Sequence, residues 1–251
     1  MPRFSRKAGV SGVYHVVVRG INKEMLFVDD DDDLYFLHLI SKYKNECDFK
    51  VLAFCLMSNH AHLLIRIRDG LPGDIMQKIL LSYSHYFNLK YERSGHLFQN
   101  RYFSAPVDNE AYLINVLKYI VYNPVEAKIV AKPMDYRWSS ISEFYGMESS
   151  ITDTEEIISL FPDKAFLYTL LEQELSSDEE QAIILPKTVV TDKEVYEMAK
   201  KMSGCSTARE YRGLSKEDRA KFVSALRAKG IPVRQISRVT GISKSVIGAI
   251  R

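Results

Sequence analysis

The first 146 residues of the chain alternate short apolar runs with longer amphipathic ones, in the order β-α-β-β-α-β-α. Residues 13–19, from Val13 through His15 to Arg19, are short and β-branched and predict a buried strand. The aspartates at 29–33 then open a stretch with Leu34, Phe36, Leu37 and Ile40 at helical spacing. Carboxylates at that end satisfy free N–H groups and complement the helix dipole, so they read as a helix start more readily than as a cation site. Residues 51–57 and 60–67 predict two strands, with only Ser58 and Asn59 between them as a turn. A loop over 69–74, punctuated by Gly and Pro and ending in Asp74 as a cap, leads into a helix over 75–91. Residues 95–101 form a polar connector, 102–107 a fourth strand, and 109–122 a helix that Pro124 is expected to end at Asn123. The order predicts an α+β fold, a ferredoxin-like split βαβ antiparallel sheet with helices on one face.

Charge divides the chain further. Of 251 residues, 34 are Lys or Arg and 32 Asp or Glu, a formal net charge of +2. Residues 1–146 carry 18 basic and 16 acidic side chains, 147–188 carry 2 and 10, and 189–251 carry 14 and 6. A near-neutral domain (1–146), an acidic helical connector (147–188) and a basic C-terminal domain (189–251) are therefore expected. The basic unit is large enough to fold and positive enough to hold a polyanion, a solvated helical face being the plainer alternative. With 46% hydrophobic, 26% charged and 11% aromatic residues the chain can fill a core and is not mainly disordered. No apolar run approaches the ~20 residues of a membrane helix, and the first residues lead into no signal-peptide core. Cys47, Cys55 and Cys205 are odd in number and lack CxxC spacing, which disfavours a disulfide framework or a cysteine-based zinc site. A soluble, cytoplasmic protein is expected.

The chemistry concentrates in two places. His60 and His62 open the third strand, and because strand side chains alternate they point to one face, with Ala61, Leu63 and Ile65 on the other. Two imidazoles two residues apart can form a bidentate metal site, but taken alone the pattern is weak, because any HxH in a strand can be a pair of hydrogen-bonded histidines. Tyr119 and Asn123 lie four apart on the helix before Pro124 and project from one helical face. If that face crosses the sheet at the histidines, Asn123 supplies an amide oxygen as third ligand and Tyr119 a phenol beside a metal-held phosphate. Mixed N/O donors with open positions suit Mg²⁺ or Mn²⁺, and a positioned tyrosine can serve as a nucleophile. In a chain with 15 tyrosines a core or rim aromatic is the ordinary reading of Tyr119.

Four motifs occur in order: Met57-Ser58-Asn59-His60-Ala61-His62-Leu63-Leu64, Gly95-His96-Leu97-Phe98-Gln99-Asn100-Arg101, Tyr119-Ile120-Val121-Tyr122-Asn123-Pro124-Val125-Glu126-Ala127, and Trp138-Ser139-Ser140. Together with Tyr14-His15-Val16 and Arg19-Gly20 they strongly resemble the REP-associated tyrosine transposases, relatives of the insertion-sequence single-tyrosine transposases in the HUH endonuclease superfamily. The resemblance covers roughly residues 5–146. It implies a metal-dependent endonuclease and strand transferase acting on single-stranded DNA. By position, His60 and His62 would bind the cation, Asn123 would be the third ligand, and Tyr119 would attack the scissile phosphate. The implied products are a 5′-phosphotyrosine and a free 3′-OH, and since that bond conserves the energy of the broken phosphodiester, rejoining needs no ATP. The implied substrate is a DNA hairpin of a repetitive extragenic palindrome with a short single-stranded guide, and relatives act as monomers or homodimers. The chain departs from the family at Ser58 (usually proline), Ala61 (usually bulkier) and Tyr122 (usually aliphatic), the last an alternative nucleophile one turn from Tyr119.

Other positions carry weaker signals. His15 could approach the site or be a satisfied core histidine. Arg19, His96, Gln99 and Arg101 are candidate DNA contacts, with a structural loop as the alternative for the last three. Lys118 flanks the nucleophile, but surface placement explains it. Tyr83, Tyr86 and Tyr91 could stack bases, although a helix core accounts for them, and Trp138 closes the core. In the tail, Ser215 caps a helix to Ala228 with Lys229-Gly230 as its stop. Residues 233–239, a turn at Thr240-Gly241-Ile242, and 243–251 resemble a helix-turn-helix, and 190–251 is loosely similar to the DNA-binding domain of the replication initiator DnaA. That resemblance implies Ser243, Lys244, Ser245 and Arg251 facing DNA, with Arg234 and Arg238 on phosphates; a nucleoid-associated location is expected. A non-catalytic DNA-binding regulator is the competing reading of the whole chain.

Overall fold

The computed structural model describes residues 9–147, 151–183 and 192–250. Two compact units form, Met1–Pro186 and Lys187–Arg251. In the first, β1 (Val13–Arg19), α1 (Asp30–Glu46), β2 (Phe49–Met57), β3 (His60–Ile67), α2 (Gly73–Lys90) and β4 (Phe103–Pro106) follow one another. The strands make one sheet in the order β2-β3-β1-β4, each neighbouring pair antiparallel. Two βαβ crossovers are thereby interleaved: β3 lies between β1 and β2, and β1 lies between β3 and β4. Helices α1 and α2 fall on the same face, as crossovers of one hand require. Phe36, Leu39 and Ile40 of α1 and Met76, Ile79, Tyr83 and Phe87 of α2 pack there on Tyr14, Val16, Val18, Ala61, Leu63 and Ile65.

The expectation of helices on one face holds for α1 and α2 only. Helix α3 (Glu110–Glu126) crosses the opposite face, where Val116, Leu117, Ile120 and Val121 pack on Val13, Cys55, Met57 and Leu64. A bulge between Val51 and Ala53 helps, because it turns both Leu52 and Ala53 toward α3. The helix also runs past its expected end. Pro124 sits inside its last turn, where Tyr122, Asn123 and Pro124 are all buried, so packing overrides the local preference of the residue before proline.

The aspartate run opens α1 as a cap. Asp29 accepts from the Asp32 amide, and the Asp32 side chain returns the bond to the Asp29 amide. Asp32 does more than the sequence indicates: wholly buried, it accepts from Lys90 Nζ at 2.9 Å, Tyr91 at 2.7 Å and the Val28 amide at 2.8 Å. Tyr83 is core, its hydroxyl donating to the Leu26 carbonyl.

The outer edge of β2 is closed by later chain. The Leu56 amide donates to Trp138 O, the Ser140 amide to Phe54 O, and the Asp153 amide to Val51 O. The Trp138-Ser139-Ser140 motif is thus an edge clamp, with Arg137 lying over the indole at 4.5 Å. Beyond α4 (Ile141–Phe144), the acidic stretch expected as a separate connector is built into this unit. Helices α5 (Thr154–Ile158), α6 (Lys164–Leu171) and α7 (Ser177–Ala182) bring Ile157, Leu167, Leu171 and Ile183 into the α3 core. Its carboxylates pair with basic groups of α1 and the sheet: Asp153 with Lys44 of α1, and Glu156 with Lys50 of β2 (each 2.8 Å) and with Arg66 of β3.

The second unit is all-α: α8 (Asp192–Ser203), α9 (Ala208–Gly213), α10 (Lys216–Ala228), α11 (Val233–Thr240) and α12 (Lys244–Ala249). Its own core contains Val195, Tyr211, Phe222, Val223, Leu226, Ile236 and Ile247. Ser215 caps α10 as expected, and Gly241, at φ +70°, makes the turn between α11 and α12. No helix of the described residues is long and apolar enough to cross a membrane.

Candidate active site

The strand register brings the site together. Arg19 pairs with His60, Val17 with His62 and His15 with Leu64, so His15, Arg19, His60 and His62 share the face that α3 crosses. From α3, Tyr119 sets its ring edge against His62 with centroids 5.4 Å apart, and His62 stands edge-on to His60 at 5.0 Å. One turn on, the Asn123 carboxamide reaches His62 Nε2 at 3.5 Å and also hydrogen-bonds His60 and the Tyr119 phenol. Tyr119 is 9% exposed, Asn123 7% and His62 2%.

The hydrogen bonds assign the tautomers. Asn59 Oδ1, 2.7 Å from His60 Nδ1, can only accept, so that nitrogen carries the proton and Nε2 the lone pair. Asn123 Nδ2 can only donate, which leaves the lone pair of His62 on Nε2 and its proton on Nδ1, 3.0 Å from His15 Nε2. Both site histidines are held neutral. Burial first, then the Arg19 charge, lowers His60 to about 4 against the Asn123 bond. Burial followed by His15, His60 and Arg19 pushes His62 well below the usual imidazole range. Burial raises the Tyr119 phenol, Asn123 pulls it back, Glu126 raises it, Arg19 lowers it and Glu180 raises it again.

Among the described residues no group of three or more His, Cys, Asp or Glu could hold a metal ion. A cation here would instead take two imidazoles and an amide. The donor chemistry fits: two neutral Nε2 lone pairs, and a carboxamide whose half-turn exchanges NH₂ for oxygen at the same reach.

The remaining sequence candidates separate. Arg19 belongs to the site by its electrostatic effect on His60, His62 and Tyr119. The chain behind it folds back so closely that a Cβ on Gly20 would meet the Glu24 carbonyl oxygen at 2.1 Å. The 95–101 connector is tied to the same strand end, the Gln99 amide donating to Arg19 O and the Ile21 amide to Leu97 O, with His96 and Arg101 exposed and Gln99 half-buried. Tyr122 turns away, buried in the α3 core with Glu174 and Glu172 as its charged neighbours. Lys118 is not at the surface; it is buried, pairs with Glu179 at 3.5 Å and donates to Glu174 O. In the second unit Arg234, Ser243, Lys244 and Ser245 are exposed, and Ser243 caps α12. Arg238, expected on phosphate, instead holds Asp192 through two nitrogens at 2.5 and 2.6 Å, because the start of α8 places that carboxylate beside it. Arg251 lies outside the described residues.

Residues 10–123, which include Tyr119, His60, His62 and Asn123, match the family described as "Transposase IS200 like". This segment is similar to the IS200-like transposases. The domain is similar to a protein of Haemophilus influenzae named "Putative REP-associated tyrosine transposase", 26% identical over 158 residues that cover 56% of this chain and 85% of that one. It shares its fold with a solved REP-associated tyrosine transposase bound to a REP hairpin, at a TM-score of 0.51 and 20% identity over 61% of this chain and 94% of that one.

His15 and Arg19 were the residues that sequence undervalued. Alternation puts them on one face of β1, but only the register with β3 shows that this face carries His60 and His62.

Proposed function

We propose that the chain is a metal-dependent single-stranded DNA endonuclease and strand transferase that cuts beside a DNA hairpin through Tyr119. The observation that carries this reading is a convergence on one sheet face: a phenol, two neutral imidazoles with Nε2 lone pairs, and a carboxamide that contacts all three. His60, His62 and Asn123 would hold Mg²⁺ or Mn²⁺. When bound, the cation supplies positive charge that polarises the scissile phosphate.

The chain's own residues supply the rest. Helix α3 holds Tyr119 at the sheet so that attack is positioned rather than diffusive. The Tyr119 oxygen forms a bond to phosphorus, the bond to the 3′ oxygen breaks, and the products are a 5′-phosphotyrosine and a free 3′-OH. The phenol must lose its proton, which burial opposes; Arg19 favours the phenolate and can meet the phosphate's charge. Return of a 3′-OH reverses the step without ATP.

The substrate proposed is a hairpin of a repetitive extragenic palindrome, the DNA class of the solved relative. His96, Gln99 and Arg101 would grip the flanking strand from the connector beside Arg19. The second unit would act as a helix-turn-helix on duplex DNA, with Arg234 on phosphate and Ser243, Lys244 and Ser245 at the groove. Arg238 could join them through Nη1, since Asp192 engages Nε and Nη2.

The test is cleavage of labelled hairpin DNA with a single-stranded flank, taken from the protein's own genomic neighbourhood, in Mn²⁺ and in EDTA. Cutting at one position beside the stem, in Mn²⁺ alone, is expected. Tight metal-independent duplex binding without cleavage would favour the regulator instead.

A further inference from the structure

We propose that His15 is a positioning residue that fixes the tautomer and orientation of His62. The inference rests on the reading of His62 as a cation ligand. His15 is completely buried in the middle of β1, diagonal to His62 across the β1–β3 pair. Its Nε2 lies 3.0 Å from His62 Nδ1, and the two rings stack at 5.3 Å with 21° between their planes. It also meets Tyr119 edge-on at 6.2 Å, so one ring supports both the ligand and the nucleophile.

The proton arithmetic gives the bond its direction. The Asn123 contact assigns the His62 lone pair to Nε2, so Nδ1 donates and His15 Nε2 accepts. His15 Nδ1 then carries a proton, and it is buried with no hydrogen-bond partner among the described residues. A buried donor left unmade is costly, and an apolar side chain among Val13, Val17 and Leu64 would avoid it. A histidine here makes physical sense as the acceptor that holds His62 Nδ1–H and so keeps Nε2 available. Ligand histidines are commonly held through their second nitrogen, and loss of that partner weakens metal binding about 10- to 100-fold.

The experiment uses the full chain and reads Mn²⁺ affinity by electron paramagnetic resonance for wild type, His15→Leu, His15→Gln and His62→Ala. Gln places an acceptor oxygen as many bonds from Cβ as Nε2, whereas Leu keeps the bulk and loses the acceptor. Expected is a 10- to 100-fold weaker Mn²⁺ affinity for His15→Leu, recovery to within about threefold of wild type for His15→Gln, and near-complete loss for His62→Ala. Two-bond ¹H–¹⁵N spectra of the wild type should show His62 with its proton on Nδ1, a readout that needs no variant to fold. Equal Mn²⁺ affinity in His15→Leu, or a His62 proton on Nε2, overturns the role of His15 and leaves the metal site standing. Wild type that binds Mn²⁺ no better than His62→Ala overturns the metal site and this inference with it.

Discussion

Three imidazoles on one sheet face, His15 and His62 buried and His60 half-buried, make the first unit's stability depend on acidity. His15 is lowered by burial to about 3, His60 to about 4, and His62 well below the usual imidazole range. In the unfolded chain each returns to about 6.5 and takes up a proton that the folded state refuses. Stability is therefore intact above about pH 6.5 and is lost as pH falls below it, toward the folded values. From about pH 7.5 to about pH 5.5 each histidine costs about 1.4 kcal/mol, so the three together cost about 4 kcal/mol. One group works in the opposite direction: burial and the neighbouring Asp32 and Asp30 raise Asp33 to about 7. Asp33 binds a proton on folding in the same window and returns about 2 kcal/mol, leaving a net loss of about 2 kcal/mol. The assay is urea unfolding followed by the fluorescence of Trp138, the single tryptophan, which reports on the first unit alone. Replacing Asp33 by Asn should raise the acid loss to about 4 kcal/mol, and His15→Gln should lower it by about 1.4 kcal/mol. An acid loss unaltered by His15→Gln would mean that His15 is protonated as readily folded as unfolded, and the burial argument would fail.

Four other perturbations discriminate between parts of the account. Asp32→Ala removes the acceptor shared by Lys90, Tyr91 and the Val28 amide, and should destabilise the first unit by about 3 kcal/mol in the same urea assay. Gly20→Ala places a methyl against a backbone oxygen that cannot swing aside, so it should displace the Arg19 strand end and weaken binding of the single-stranded flank by gel shift. Tyr122→Phe leaves the site's contacts in place and should cleave at the wild-type rate. In the second unit, Arg234→Glu with Lys244→Glu should weaken duplex binding and flatten its salt dependence, as expected when two cations are lost from a phosphate surface.

Much of the fold was legible because its signals are local. The β-α-β-β-α-β order, the capped start of α1 and the Ser58-Asn59 turn each follow from a few neighbouring residues, and the sheet has the interleaved form that order predicts. What was not legible depends on long-range packing. Pro124 argues locally for a helix end, yet α3 continues because Tyr122, Asn123 and Pro124 are buried together. The acidic stretch reads as a helical connector from its charge, while Ile157, Leu167 and Leu171 commit it to the core beside α3. At the site, the HxH spacing and the Tyr119–Asn123 turn were visible separately. Their meeting depends on α3 crossing the histidine face, and the place of His15 and Arg19 depends on the β1–β3 register, neither of which a single strand's alternation contains.

The claim on which the rest depends is that Tyr119 becomes bonded to DNA. The direct measurement is a denaturing gel of protein incubated with labelled hairpin DNA and Mn²⁺, wild type beside Tyr119→Phe, with EDTA as control. The account predicts a denaturation-resistant protein–DNA adduct in the wild type that disappears in Tyr119→Phe and in EDTA. Cleavage without any adduct would mean that water attacks the phosphate, and an adduct that survives in Tyr119→Phe would move the nucleophile elsewhere; either result contradicts the account.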